Sequence, residues 1–173
     1  SASVIWKEGL YYGQAPITMN PSDLRELLGK VASGTLDVGD AERRLAEVLR
    51  EQPFADLGFA RVDHHRAFRQ GFPEVVLGLG KTPAQISAIA AEIVGRGSTL
   101  LVTRASQEAF DAVRLAIPEA TYYLDARIIA LRQRDVTPGT GRILIVAAGT
   151  SDLPVAEEAA CTAELMGNDI DRL

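Results

Sequence analysis

Apolar residues along the chain fall into two patterns. Over 24–31, 41–49, 86–94 and 110–117 they recur every three or four positions, which predicts helices with one buried stripe. Over 72–78, 99–104, 127–131 and 143–146 they form short, nearly unbroken runs, which predicts covered strands. The polar punctuation between them sets the boundaries. Asn20-Pro21-Ser22-Asp23 is a helix start, with a capping amide, Pro at the first helical position and an acid in the first turn. Leu24, Leu27, Leu28 and Val31 form the stripe of that helix, and Ser33-Gly34 stops it. A second helix starts at Asp37, turns Ala41, Leu45, Val48 and Leu49 inward, and ends at Pro53. Together they predict a helical hairpin over 19–53, a docking or capping element.

The next segment, 54–135, is expected to be a small α/β domain. Phe59 to Asp63 has strand character, His64 to Gly71 that of a short helical turn, and Phe72 to Gly78 returns to strand. Thr82-Pro-Ala-Gln85 is a capping box, and its helix should bury Ile86, Ile89, Ala90, Ile93 and Val94. Thr99 to Arg104 is the next strand. Ser106 opens a helix with Phe110, Val113 and Ile117 inward, closed by Pro118, and Tyr122-Tyr123 and Arg127 to Leu131 are further strands. The polar, Pro- and Gly-broken stretch Arg132 to Gly141 is a linker. Ile143 to Val146 lacks alternation, as for a strand covered on both faces. A polar turn, a helix from Pro154 to Met166 and a strand from Asp169 to Leu173 follow, so 142–173 reads as the first β-α-β unit of a parallel sheet. The fold class is α/β. Two strands and one helix bury too little surface to stand alone. The unit must therefore dock on the upstream domain or on another chain, or the sequence is a fragment.

Bulk properties narrow the function classes. The chain has 173 residues, 47% of them apolar, enough for a packed core, and only 6% aromatic. A net charge of −5 argues against a general nucleic-acid binder, which would need a basic surface. A single cysteine fits a reducing compartment, and no apolar run nears the ~20 residues needed to span a bilayer, so a cytoplasmic protein without membrane or nucleic-acid partners is expected. Residues 1–18 differ in composition, carrying the only Trp; with Met19 resembling an initiator, they read as an appended segment or a native extension.

Three polar stretches could carry chemistry. Gly149, Thr150, Ser151 and Asp152 lie at a strand's carboxyl end before a helix, where ligands sit in parallel sheets. The Asp152 carboxylate would repel a phosphate, which favours ribose hydroxyls there, or simple helix capping. Asp63, His64, Arg66, Arg69 and Glu74 form a second cluster. In a helical turn Asp63, Arg66 and Arg69 share a face, and the two arginines could form a fork for phosphate or carboxylate; a solvated ion-pair cluster is the alternative. Thr103 and Arg104 end another strand, with Lys81 ahead of the capping box. Cys161, mid-helix among alanines with no His or Lys near it in sequence, is expected to be a small buried apolar group rather than a nucleophile.

Five segments in order carry a family resemblance: Asp56-Leu-Gly-Phe-Ala-Arg-Val-Asp-His-His-Arg66, Arg69-Gln-Gly-Phe-Pro-Glu74, Gly80-Lys-Thr-Pro83, Val102-Thr-Arg-Ala-Ser106 and Ala148-Gly-Thr-Ser-Asp-Leu-Pro-Val-Ala-Glu-Glu-Ala159. Together they resemble the LarB family, the carboxylase/hydrolase of nickel-pincer nucleotide cofactor biosynthesis. The last segment also resembles the opening of the aminoimidazole ribonucleotide carboxylase fold. The resemblance implies carboxylation of nicotinic acid adenine dinucleotide at pyridine C5, with carbon dioxide or bicarbonate, and hydrolysis of its phosphoanhydride to release AMP. It implies a cysteine nucleophile that this sequence, read as truncated, would place beyond Leu173. It assigns no catalytic residue with certainty here and no tightly bound cofactor. Ser151 and Asp152 would contact the ribose or phosphate of the nicotinate half, with Gly149 and Thr150 N–H groups on an anion. Arg66, Arg69 and Arg104 would neutralise phosphates or the pyridine carboxylate. Asp63, His64 and Glu74 would orient these arginines, or position water or a magnesium ion. A homo-oligomer is expected, because the edge of a partial parallel sheet needs cover. The competing expectations are an aminoimidazole ribonucleotide carboxylase or mutase, and a non-catalytic nucleotide-binding or oligomerisation fragment.

Overall fold

The computed structural model describes residues 19, 21–50, 54–64, 66, 72, 74–133, 136 and 138–173. The expected 1–18 extension, Arg69 and most of the turn expected over 64–71 lie outside the described residues. The hairpin forms as α1 (Pro21–Ala32) and α2 (Val38–Arg50), with the Asp37 carboxylate accepting from the Gly39 N–H at 2.8 Å to set the entry of α2. Leu27 and Ala41 are buried in the seam. Leu28 and Leu49, expected to point inward, are 53% and 75% exposed. Two helices have one seam between them, and the apolar stripe of each is wider than that seam.

Downstream, β1 (Phe54–Asp56) pairs antiparallel with β2 (Arg61–Asp63), and the Arg61 guanidinium sits 3.7 Å from the Phe54 ring centre. The strand expected from Phe59 starts only at Arg61, because Gly58, at φ 80, turns the chain there. The central sheet has the order β3-β4-β6-β5, built from β3 (Val76–Leu77), β4 (Leu100–Thr103), β5 (Thr121–Tyr123) and β6 (Ile128–Leu131). The β3–β4 pair is parallel and the β4–β6 and β6–β5 pairs are antiparallel. On one face α3 (Pro83–Gly95) and α4 (Gln107–Ala116) join Ile86, Ile89, Ile93 and Val113 to Leu100, Val102 and Ile129. The capping box at Thr82 and the Ser106 cap both form as the sequence predicts.

The opposite face is covered by α5 (Leu153–Leu165), whose Cys161 and Leu165 pack on Leu101, Ile128 and Ala130. The core of the sheet is thus buried on both sides, which is why β4 and β6 show no polar alternation. Helix α5 also joins β7 (Arg142–Ile145) to the parallel β8 (Asp169–Arg172). The β-α-β unit therefore docks on the upstream domain, through its helix. One expectation fails here. The run 143–146 is not covered on both faces: Ile143, Leu144 and Val146 are 43%, 57% and 63% exposed. The reason is that β7 has β8 as its strand partner, while the buried residues of α5 face the four-stranded sheet. No helix among the described residues is long and apolar enough to cross a membrane.

Candidate functional site

The parallel β3–α3–β4 crossover brings the carboxyl ends of β3 and β4 to one edge of the sheet. Gly78, just past β3, donates its N–H to the Thr103 carbonyl at 2.8 Å. A Cβ there would stand 3.0 Å from the carbonyl oxygens of Thr103 and Arg104, so only glycine fits without backbone movement. Lys81 folds back, its Nζ donating to the Leu77 carbonyl at 2.8 Å. Arg104 itself is left-handed, at φ 51. Its neighbour Ala105 donates to the carbonyl of Arg127, a second left-handed residue at φ 51, and accepts from the Tyr122 hydroxyl at 3.0 Å. Burial pushes the Tyr122 phenol up, Arg127 pulling it down and Glu108 adding to the rise, so it stays a donor at neutral pH. Stacking of Tyr122 on Phe110 at 5.1 Å fixes that hydroxyl. The turn that presents Arg104 is therefore held from β3, β5 and the β5–β6 turn together.

The start of α5 reaches the same edge. Arg104 Nε lies 3.5 Å from Glu158 Oε2, whereas near the helix's other end Arg132 Nη2 donates to the Glu164 carbonyl at 2.9 Å. Leu131, beside Arg132, pairs with Leu100 at the far end of β4, so α5 runs back along the sheet from the Arg104 edge. Asp152 precedes Glu158 by six residues, which carries the Gly149 to Asp152 turn roughly 9 Å beyond that contact at the helical rise. The turn closes with the Asp152 N–H donating to the Gly149 carbonyl at 3.0 Å. The Asp152 carboxylate and Ser151 hydroxyl gather over Gly149, at 3.5 and 3.7 Å from where its Cβ would be. Thr150, Ser151 and Asp152 are exposed. Helix α5 starts without any side-chain cap, so neither Ser151 nor Asp152 is engaged as a capping group.

The cluster at 63–74 lies elsewhere. His64, with its side chain 4% exposed, places Nε2 3.1 Å from Glu92 Oε1, a close contact without hydrogen-bond alignment. Glu92 also faces Arg96 Nε at 3.3 Å. Burial lowers the His64 pKa below its ordinary value and Arg96 lowers it further, against Glu92 and Asp63. Glu74 Oε2 accepts from the Asp63 N–H. Arg66 is half-buried. Glu92 stands ten residues beyond the Thr82 cap, roughly 15 Å along α3. The structure thus brings Lys81, Thr103, Arg104 and the 149–152 turn to one edge, and Asp63, His64 and Glu74 to the other. Glu74 and His64 engage backbone and Glu92, not Arg104. No group of three or more His, Cys, Asp or Glu among the described residues is placed to hold a metal ion. Cys161 is buried at 4% exposure, and burial, with Glu164 adding to it, pushes its thiol up to about 11. At neutral pH its thiolate fraction is on the order of one in ten thousand.

Residues 54–134 match the family model described as the LarB/PurE-like N-terminal domain. Over these residues the chain is similar to the N-terminal domain of the LarB family. The matched LarB segment contains β1 to β6 with α3 and α4, and with them Lys81, Thr103, Arg104 and Arg127. A curated relative, the uncharacterized protein MJ0165 of Methanocaldococcus jannaschii, is 30% identical over 151 residues, which is 84% of this chain and 58% of the relative. The chain therefore spans somewhat over half the length of that relative. Two residues of this edge escaped sequence reasoning. Glu158 sits in an ordinary helical pattern, and Arg127 looks like the first residue of a strand. Left-handed backbone at an arginine leaves no sequence signal.

Proposed function

We propose that this chain is part of a pyridinium-3,5-biscarboxylic acid mononucleotide synthase. Such an enzyme carboxylates the pyridinium ring of nicotinic acid adenine dinucleotide at C5 and hydrolyses the phosphoanhydride to release AMP. The observation that carries the reading is the meeting of the LarB-type domain and the start of α5 at one edge. There Arg104, left-handed and 3.5 Å from Glu158, stands against the helix whose uncapped start lies roughly 9 Å further on. Left-handed backbone at a non-glycine residue costs about 1–2 kcal/mol, and such strain concentrates where a side chain must be aimed. On this reading Arg104 and Lys81 neutralise phosphate or ring carboxylate. Ser151 and Asp152 take ribose hydroxyls, and the N–H groups of Gly149 and Thr150 face an anion.

The chemistry needs a nucleophile to add to the electron-poor pyridinium, making an enamine whose C5 attacks carbon dioxide. Cys161 is excluded from that role by its burial and raised pKa. The described residues bind and orient; the nucleophile belongs to the whole protein. The native gene product carrying this sequence, given nicotinic acid adenine dinucleotide and labelled bicarbonate, is expected to release AMP and to fix label into a pyridinium mononucleotide. Arg104→Ala and Asp152→Ala should each weaken dinucleotide binding about ten-fold or more while leaving the thermal midpoint unchanged. The PurE-like element of the domain's description favours one rival, an aminoimidazole ribonucleotide carboxylase. Turnover of that substrate, with no AMP formed from the dinucleotide, would reverse the choice.

A further inference from the structure

Two arginines face each other where β4 ends and β6 begins. In the antiparallel β4–β6 ladder Val102 stands opposite Ile129, and the same register carried two residues further sets Arg104 opposite Arg127. The Ala105 N–H donates to the Arg127 carbonyl at 2.8 Å and ties the two turns together. By covalent geometry the two arginine Cα atoms are then no more than about 8 Å apart. Arg104 and Arg127 are also the only non-glycine residues with left-handed backbone among the described residues, both at φ 51. Neither feature helps the fold. Like charges opposite one another across strands weaken the pairing. The β5–β6 turn closes with the Arg127 N–H donating to the Leu124 carbonyl at 3.1 Å, and glycine would supply its left-handed residue without strain. What arginine has there and glycine lacks is the guanidinium. Arg127 is exposed and has no ion-pair partner among the described residues, Asp125 of its own turn included. Burial raises the Tyr122 pKa and the Arg127 charge pulls it back, so the guanidinium lies near the hydroxyl that donates to the Ala105 carbonyl.

A third cation lies on the other side of Arg104. The strand order β3-β4-β6 puts Lys81, whose Nζ is held on the Leu77 carbonyl at the end of β3, beside the Arg104 turn. Neighbouring strands are about 4.8 Å apart, so the row Lys81, Arg104, Arg127 covers roughly 10 Å of the sheet edge. The acids near the row are Glu158, 3.5 Å from Arg104 Nε, and Glu108, which is hydrogen-bonded to Ser106 at the start of α4. We propose that Arg104 and Arg127 together clamp a diphosphate group, with Lys81 at the end of the row. A carboxylate has one charge and two oxygens, which a single arginine satisfies with its own fork. Two arginines and a lysine in line match a group whose charges and oxygens are spread along its length, and a diphosphate is such a group. An anion between the guanidiniums also removes the repulsion that the bare pair carries. The inference deepens the reading above and rests on it only in taking this edge as a ligand site. It adds Arg127 to that site and assigns the row to the diphosphate rather than to the ring carboxylate.

Isothermal titration calorimetry of the full chain in magnesium-free buffer tests it, with inorganic pyrophosphate and nicotinate as separate probes. The wild-type chain should bind pyrophosphate about ten-fold more tightly than nicotinate, or better still. Arg127→Gly should lower the pyrophosphate affinity about ten-fold or more. Its thermal midpoint should be at least as high as that of the wild type, because glycine accepts the left-handed backbone and the like-charge pair is gone. Arg25→Ala removes the same charge from an exposed position on α1 and should leave pyrophosphate affinity unchanged. A wild-type chain that does not bind pyrophosphate overturns the proposal, and so does nicotinate binding of equal strength, which would make the row a carboxylate site. Affinity that Arg127→Gly leaves unchanged, or that Arg25→Ala lowers as much, overturns it too, since the anion would then sit elsewhere or answer only to overall charge. A fall in the midpoint of Arg127→Gly together with its affinity would make Arg127 a structural residue. The carboxylase reading fails separately. Pyrophosphate binding through Arg127, with the dinucleotide left untouched by the native gene product, would sink only that reading, whereas dinucleotide turnover that Arg127→Gly leaves unaltered would sink only this one.

Discussion

At the scale of single residues, His64 couples the structure to pH. Its buried imidazole faces Glu92 and Arg96 from α3 and Asp63 from β2. Burial, then Arg96, hold its pKa below the ordinary 6.5, while Glu92 and Asp63 oppose. The unfolded chain binds a proton as pH falls through 6.5, and folded His64 takes one only at lower pH. Its contribution to stability is therefore complete above 6.5 and declines as pH falls from there toward the lowered value, below which it changes no further. Urea midpoints measured at about pH 8 and about pH 5.5 should fall for the wild-type chain and fall less for His64→Gln. Equal slopes for the two proteins would mean that His64 titrates alike folded and unfolded. The sequence marked His64 as a candidate because it sits in an Asp-His-His-Arg run. It could not show that Glu92, 28 positions away, is the partner that matters.

At the scale of elements, the junction where β3 meets β4 is closed by backbone atoms around Gly78. Gly78→Ala places a methyl group 3.0 Å from two carbonyl oxygens and 3.2 Å from the Ala105 Cα, all backbone atoms that cannot step aside. The substitution should cost about 1–3 kcal/mol, read as a lower urea midpoint at unchanged m-value, and it should displace the Arg104 turn. A neutral result would mean that β3 shifts freely at that edge. The elements legible in the sequence are those with strong local rules. The Thr82 capping box, the Ser106 cap and the stripe Ile86, Ile89, Ala90 and Ile93 give α3 and α4, and unbroken apolar runs give β4 and β6. The two-residue β3 and three-residue β1 and β5 have too few positions for a period to declare itself, so β1 went unforeseen and the strand expected over 72–78 shrank to Val76–Leu77. Of the candidate site, strand-end placement marked Thr103, Arg104 and the 149–152 turn separately, and that they lie toward one edge with Lys81 could not be read from the sequence. Grouping Asp63, His64 and Glu74 with them went further than sequence proximity allows, since α3 separates the two sets.

At the scale of the whole molecule, the four-stranded sheet is roofed on one side by its own crossover helices and on the other by α5, which arrives from beyond the linker. Leu165→Ala removes a buried anchor of that second roof and should cost about 2–5 kcal/mol. Amide exchange in β7, α5 and β8 should accelerate more than in α3 and α4, because the former are joined to the sheet through Cys161 and Leu165. Uniform acceleration would show the two parts to be one cooperative unit. The same roof bears on how the molecule is made. The match to the LarB family model ends at residue 134, before the helix that covers Leu101, Ile128 and Ala130. During synthesis the finished sheet would wait with that face bare while residues 132–165 are added, a delay of roughly 2–7 s at about 5–20 residues per second. The end of the matched segment is thus not the end of a folding unit. A gene cut there would yield a protein with an uncovered apolar sheet, prone to aggregate, whereas one cut after α5 would keep its roof.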